Sequence, residues 1–468
     1  MKLAFQVDQK PKFGQVIIFA LQQLLAILAA TIAVPAIVGN GMSASAALFG
    51  AGVGTIVYLL FTRFKSPVFL GSSFAFLGSM FAAFAGAAST QVGYAGLIIG
   101  AAMAGLVYVI IALVVKVAGV KWIDRLMPAV VIGPTVAIIG LSLAGNAVGD
   151  AVGVASEGGA FQMNAHAGIC LACALVTLAV VMICSVYGKK MAKMIPFVIG
   201  IAAGYAVAAV FTVIGDSIGN EAMQIIDFTK FQSMRWYPEF TFVEAFKGFG
   251  SVTGEYILTL FVAYVPVAFV VFAEHIADHK NLSTIIEKDL LRDPGLHRTL
   301  VGDGLATAFA GFFGGPANTT YGENTGVLAL SKVYDPRVVR LAAIYAIILS
   351  FSPKFDALVN SIPAAIVGGV SFILYGMISA VGVRNIVENQ VDLTKSRNLI
   401  IAAVMFVSGL GFSSVGGITF TVGDAAVTLS GLAIAALCGV ILNAILPGND
   451  YVFGVSVEGD KSADLGSY

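Results

Sequence analysis

Few ionisable side chains fall inside the apolar stretches of this chain, and those that do are mostly acids. Glu274 and Asp278 stand four residues apart, the spacing that puts two side chains on one face of a helix. Glu323 lies in the segment PANTTYGENTG, and Asp303 sits at the charged end of a neighbouring apolar run. Acids in a bilayer are costly and face a cavity or a partner. No Lys or Arg in these stretches stands ready to neutralise them, and a carboxyl shut away from water favours its protonated form. A group that is neutral when closed off and charged when wetted couples proton movement to cargo movement. Glu274, Asp278 and Glu323 are the candidates, with Ser371 and Tyr375, again four apart, placed to hydrogen-bond toward Glu323. A neutral heterocycle suits such a site: its N–H groups pair with carboxylate oxygens, and its plane stacks on Phe74 and Tyr321. His275 and His279 flank the acids, but EHIADH is not HExxH, since the Glu precedes the first His. Both histidines are read as structural or interfacial, with His279 at the boundary next to Lys280. Cys170 and Cys173 have CxxC spacing without a second pair or nearby His set, so they are read as buried thiols. No metal site is expected.

The elements that position these residues are membrane spans. The chain has 468 residues, 58% hydrophobic and only 11% charged, with zero formal net charge. Soluble chains carry about 25% charged residues. So little charge cannot cover a water-facing surface, and nothing suggests nucleic acid as a partner. The polar N-terminus runs straight into an apolar segment without an A-x-A site, so that segment is expected to stay as a first span. Apolar stretches long enough to cross, or interrupted versions of them, fall near 14–38, 44–62, 68–86, 92–118, 126–145, 168–187, 194–215, 256–277, 299–314, 318–331, 338–352, 360–382, 398–414 and 427–446. With both termini in the cytoplasm, all of the 26 Lys and Arg residues except Lys230, Arg235, Lys247 and Lys354 fall on the inner side. The expected fold is therefore an all-α polytopic membrane protein of fourteen transmembrane segments. The stretch 216–255 divides it into two halves of seven spans, which makes them inverted repeats. Spans 3 and 10 match: PVFLGSSFAF and PANTTYGENTG each begin at Pro and run through Ser or Thr pairs to an aromatic. Paired interrupted segments in corresponding positions point to a midplane binding site.

These motifs carry a resemblance. LQQLLAILAATIAVP (21–35), LGSSFAF (70–76), AEHIADH (273–279), KDLLRDPGLHRTLVGDGLAT (288–307) and GGPANTTYGENTGV (314–327) resemble the nucleobase–cation symporter-2 family, also called nucleobase–ascorbate transporters, and within it the bacterial uracil permeases. The likeness runs nearly end to end. It implies a core domain of spans 1–4 and 8–11 (residues 1–121 and 252–353) and a gate domain of spans 5–7 and 12–14 (122–251 and 354–468). Spans 3 and 10 would each carry a short strand. It implies that Glu274 and Glu323 contact the base, that the backbone at Phe74 and Gly322 supplies amides beside Tyr321, and that Ala30 lines the pocket. It further implies a homodimer in lipid, in a bacterial cytoplasmic membrane. Uracil permeases often carry His where this chain has Gln23 and Asp278, and the purine-transporting branch has Gln where it has Glu323.

The reading is proton-coupled uptake of uracil by alternating access, with no cofactor beyond the proton. Xanthine or another purine is the same-class alternative. Inorganic anions, carried by related folds, would want a basic residue or helix N-termini without facing acids. No phosphate loop, nucleophile elbow or metal cluster supports an enzyme.

Overall fold

A computed structural model of the chain describes residues 7, 12–153, 156–157, 160–189, 191–232, 240, 242–322, 324–325, 328, 333–422 and 425–448. The first part of the chain folds as α1 (Phe13–Val38), α2 (Ala44–Phe61), β1 (Leu70–Ser72), α3 (Leu77–Ala85) and α4 (Thr90–Ala118). There follow α5 (Lys121–Leu126), α6 (Ala129–Ser142), α7 (Ala144–Val152), the small hairpin β2 (Ser156–Glu157) and β3 (Ala160–Phe161), α8 (Ala165–Tyr187), α9 (Met191–Met194), α10 (Pro196–Ile218) and α11 (Phe242–Gly248). The remainder is α12 (Gly254–Ile286), α13 (Leu296–Phe312), β4 (Asn318–Thr320), α14 (Pro336–Ser350), α15 (Pro353–Asn360), α16 (Ala364–Glu388), α17 (Ser396–Ser414), the hairpin β5 (Ile418–Val422) and β6 (Ala425–Leu429), and α18 (Gly431–Ile445).

The helices start where the sequence supplies acceptors for their first N–H groups. The side chains of Ser43, Ser89, Asn164, Thr253 and Ser430 each cap the N-terminus that follows. Among the described residues nine helices are long and apolar enough to cross a membrane, and ten if α14 and α15, which meet at a bend of 85°, form one span. Side chains such as Leu106, Val117, Ile348 and Val407 point outward at 59–87% exposure. So many exposed aliphatic side chains on one chain suit lipid, not water, as the surrounding solvent.

Helix α13 packs against α4 and α2, and α14 against α1 and α2; elsewhere α16 packs against α6, α7 and α8, and α17 against α18. Small residues set the closest crossings. A Cβ on Gly105 of α4 would overlap the carbonyl of Gly304 on α13, and one on Gly304 would come back against Gly105 at 2.7 Å. In lipid, such backbone-to-backbone contact supplies the dispersion attraction that holds helices together.

Two boundaries differ from the sequence reading. The last apolar segment, expected as one helix over 427–446, begins inside the β5–β6 hairpin, and its helix α18 spans only Gly431–Ile445. The eighth, expected to end near 277, continues as α12 to Ile286, because Asp278 and His279 find partners inside the protein and do not end the helix at a boundary.

Candidate functional site

A span that stops being helical exposes backbone N–H and C=O groups, and at membrane depth each needs a partner. Here the two interrupted segments satisfy each other. β1 and β4 pair antiparallel in the register Leu70↔Thr320, Gly71↔Thr319, Ser72↔Asn318. The ladder is extended at both ends: Ser73 N–H donates to Ala317 O at 2.8 Å, and Tyr321 N–H to Phe69 O at 3.2 Å. Side chains complete it. Thr55 Oγ1 accepts from Leu70 N–H at 3.0 Å, Ser72 Oγ donates to Thr31 O at 3.0 Å, and Asn318 Nδ2 donates to Gly50 O at 3.2 Å. The pair is thus bolted to α1 and α2 on both sides.

β4 delivers its hydroxyls to the acids of α12. Thr320 Oγ1 donates to Asp278 Oδ2 at 2.5 Å, and Thr319 Oγ1 to Glu274 Oε2 at 3.5 Å. The four-residue spacing of the acids on the helix meets two adjacent strand residues. Asp278 is buried, whereas Glu274 is half-buried. Tyr321 is buried, and its hydroxyl reaches back to donate to Ser72 O at 3.0 Å. That crossing requires Gly71, because a Cβ there would overlap the Tyr321 ring. Next comes Gly322, half-buried, where an added Cβ would meet open space. Glu323 lies outside the described residues.

The other expected residues are placed as follows. Ala30 is buried on α1, one residue from the Thr31 carbonyl that holds Ser72. Phe74 is buried just past β1 and meets Tyr375 of α16 edge-on, with ring centroids 5.5 Å apart. Ser371 and Tyr375 are both buried, and the Ser371 hydroxyl lies close enough to interact with that of Tyr375. Gln23 is buried on α1, and its Oε1 is without a partner among the described residues. The structure therefore brings Glu274, Asp278, Tyr321 and Gly322 together around the strand pair, and joins Phe74 to Tyr375.

Asp303, expected near a charged helix end, is fully buried on α13, where its Oδ2 lies 2.7 Å from His275 Nδ1. His275 Nε2 is 2.9 Å from Thr299 Oγ1. His279, expected at the boundary, is also fully buried. Its ring stacks on that of His275 at 4.0 Å, and its Nε2 lies 2.6 Å from the Tyr58 hydroxyl, which in turn donates to Ser66 Oγ at 2.8 Å. This polar network ties α12 to α2 and α13. It leaves α12 presenting its acids to β4 and its imidazoles to the neighbouring helices. Sequence reasoning missed Thr319 and Thr320 as the partners of the acids; the adjacent Thr pair in PANTTYGENTG was the available signal. Cys170 and Cys173 are free buried thiols, and no group of three or more metal-ligating side chains occurs among the described residues.

Known proteins share this arrangement's sequence and fold. The profile of the permease family matches residues 14–418. The uracil permease of Bacillus caldolyticus is 39% identical over 448 residues, covering 96% of this chain and 95% of that one. The uracil permease of Escherichia coli K12 is 37% identical over 443 residues, 94% of each. Among solved structures, the transmembrane domain of the cyanobacterial bicarbonate transporter BicA is 16% identical with a TM-score of 0.61, covering 94% of this chain and all of that one. The murine Slc26a9 anion transporter in its inward-facing state is 12% identical with a TM-score of 0.60, covering 92% of this chain and 68% of that one. These two likenesses show the fold alone. Matched over most of its length in sequence and built on that fold, the chain belongs to the permease family, the nucleobase–cation symporter-2 group that its motifs resemble.

Proposed function

We propose that this protein carries uracil into a bacterial cell together with a proton, by alternating access. The observation that carries the reading is the meeting of two interrupted segments at the two acids of α12, with a hydroxyl from β4 on each carboxyl. An array of carboxyl oxygens, half-open backbone at Gly322 and flanking aromatic rings suits a flat ring bearing both N–H donors and carbonyl acceptors. The names of the relatives support uracil as that ring. Glu274 and Glu323 take the N–H edge, amides near Phe74 and Gly322 take the carbonyls, and Tyr321 and Ala30 shape the pocket. Glu274, Asp278 and Glu323 are the candidate proton carriers, with Ser371 and Tyr375 of α16 as hydroxyl partners. The anion transporters of like fold do not extend their cargo to this chain, because acids at the pocket repel anions.

The architecture belongs to the same proposal. Fourteen spans in two inverted repeats, both termini cytoplasmic, place β1 and β4 in corresponding positions of the two halves. The packing of α13 with α2 and α4, and of α16 with α6, α7 and α8, supports a core domain (1–121 and 252–353) moving against a gate domain (122–251 and 354–468). The working unit is a homodimer in the cytoplasmic membrane.

The test is uptake of labelled uracil into proteoliposomes with and without an inward proton gradient, competed by xanthine. Uracil accumulates only with the gradient, and Glu323→Gln abolishes its binding. Xanthine outcompeting uracil overturns the substrate, and accumulation indifferent to the gradient overturns the coupling.

A further inference from the structure

A mainly apolar cavity that touches the proposed site at Phe74 does not surround the acids. It is a half-open cavity of about 450 Å³ walled by α3 (Gly78, Phe81), α12 (Ala263, Val267), the end of α6 and α7 (Leu143, Asn146), and the β5–β6 hairpin with the start of α18. Phe74, just past β1, is among its lining residues. On α12, Val267 precedes Glu274 by seven residues, about 10 Å along the helix axis at 1.5 Å per residue. The cavity is thus in series with the acids, not around them.

Most polar groups on its wall are already engaged. Ser79 Oγ donates to Ala263 O, Ser142 Oγ to Ile139 O, and Thr428 Oγ1 pairs with Thr419 Oγ1. Ser430 Oγ caps α18 by accepting from Ala433 N–H. Asn146 is different: its side-chain amide makes no hydrogen bond among the described residues and faces the cavity. One turn further along α7, Asp150 lies on the same face, with a buried Oδ2 that has no partner among the described residues. Asp150 is close enough to act electrostatically on Tyr375, the residue that meets Phe74. An amide and two phenyl rings, Phe74 and Phe81, therefore border one space large enough for a single planar base, with the Asp150 carboxyl one helical turn beyond its wall.

We propose that this cavity is an entry station that holds the nucleobase before it passes Phe74 to the acids. The Asn146 amide offers one donor and one acceptor side by side, the complement of the N–H/C=O edge of a pyrimidine, while Phe81 supplies a stacking face. The inference rests on the uracil reading above and adds a second stop and a specificity determinant, Asn146 of α7. The orientation from the charged loops puts this station on the outer side.

The test uses full-length protein, and measures uracil uptake in proteoliposomes alongside equilibrium uracil binding in detergent. Asn146→Ala raises the uptake KM about fivefold, the loss expected for one neutral hydrogen bond, and Asn146→Gln, which keeps the amide, restores it to within about twofold. Gly78→Phe fills the cavity without a backbone clash, since nothing lies within 4 Å of a Cβ there. It blocks uptake, while the purified variant still binds uracil at the acids from the other side. An unchanged KM in Asn146→Ala, an equal defect in Asn146→Gln, or wild-type uptake by Gly78→Phe overturns the entry station. Absence of uracil binding by the wild-type protein overturns the parent reading instead, whatever the variants do.

Discussion

Gly71→Ala tests whether the strand pair builds the binding site or merely adjoins it. Gly71 faces Thr319 in the ladder, and a Cβ there would overlap the ring of Tyr321, whose hydroxyl donates to Ser72 O at 3.0 Å. Gly71 is not among the glycines with positive φ, so the backbone accepts Ala and the conflict is steric. Forcing a methyl into a packed position costs about 1–3 kcal/mol. The ring is the part that can yield, and it moves by giving up the bond to Ser72 and turning toward Gly322, where there is room. If Tyr321 belongs to the uracil site, that strain appears in binding as an increase in Kd of about 5- to 150-fold. Equilibrium binding of labelled uracil to purified protein reads it, with thermal midpoints to verify folding. In a Tyr321→Ala background the same substitution meets no ring and changes Kd by less than about 0.5 kcal/mol, the limit within which independent sites add. A wild-type Kd for Gly71→Ala, or an equal penalty in both backgrounds, refutes the claim that β1 and β4 hold Tyr321 for the substrate.

Thr320→Val keeps the β-branched shape but removes the donor to Asp278, a contact worth about 1.5–3 kcal/mol when one partner is charged; gradient-driven accumulation of uracil falls at least about tenfold, measured beside uracil counterflow, which falls less. Asp303→Ala leaves His275 Nδ1 buried without its partner and costs about 1–3 kcal/mol, while Asp303→Asn keeps a hydrogen-bonding group and costs less, as thermal midpoints of the purified variants will rank them. Gly105→Val drives a side chain into the carbonyl of Gly304 and lowers the thermal midpoint, whereas Gly14→Val, at a position with no neighbour within 4 Å, leaves it unchanged.

Hydropathy exposed the long helices because lipid demands continuous apolar length, and α1, α4, α8 and α10 lie close to where that demand puts them. The paired interruptions at β1 and β4 were legible too, as matched Pro-to-aromatic segments. What was not legible depends on long-range geometry. Nothing in EHIADH reveals that Asp278 turns toward a threonine 42 residues away while His279, its chain neighbour, turns toward a tyrosine 221 residues away. The Lys280 that follows suggested a membrane boundary for His279, yet α12 runs on for another turn and a half, because its polar residues are satisfied by α2, α13 and β4. The hairpin at β5–β6 was hidden by composition: Ala425–Leu429 is as apolar as a helix of the same length, and short apolar runs do not distinguish the two.

The strand pair also bears on how the protein is made. Ser72 and Tyr321 are 249 residues apart in the chain. At about 5–20 residues per second of synthesis, β1 leaves the ribosome about 12–50 seconds before its mate exists. During that interval the Leu70 amide has Thr55 Oγ1 to donate to, but Ser73 N–H lacks the Ala317 carbonyl that accepts it in the finished fold. A nascent chain arrested before residue 318 should consequently be held by the insertion machinery or degraded, so that biogenesis of this carrier is all-or-none at the point where its second half supplies three residues of strand.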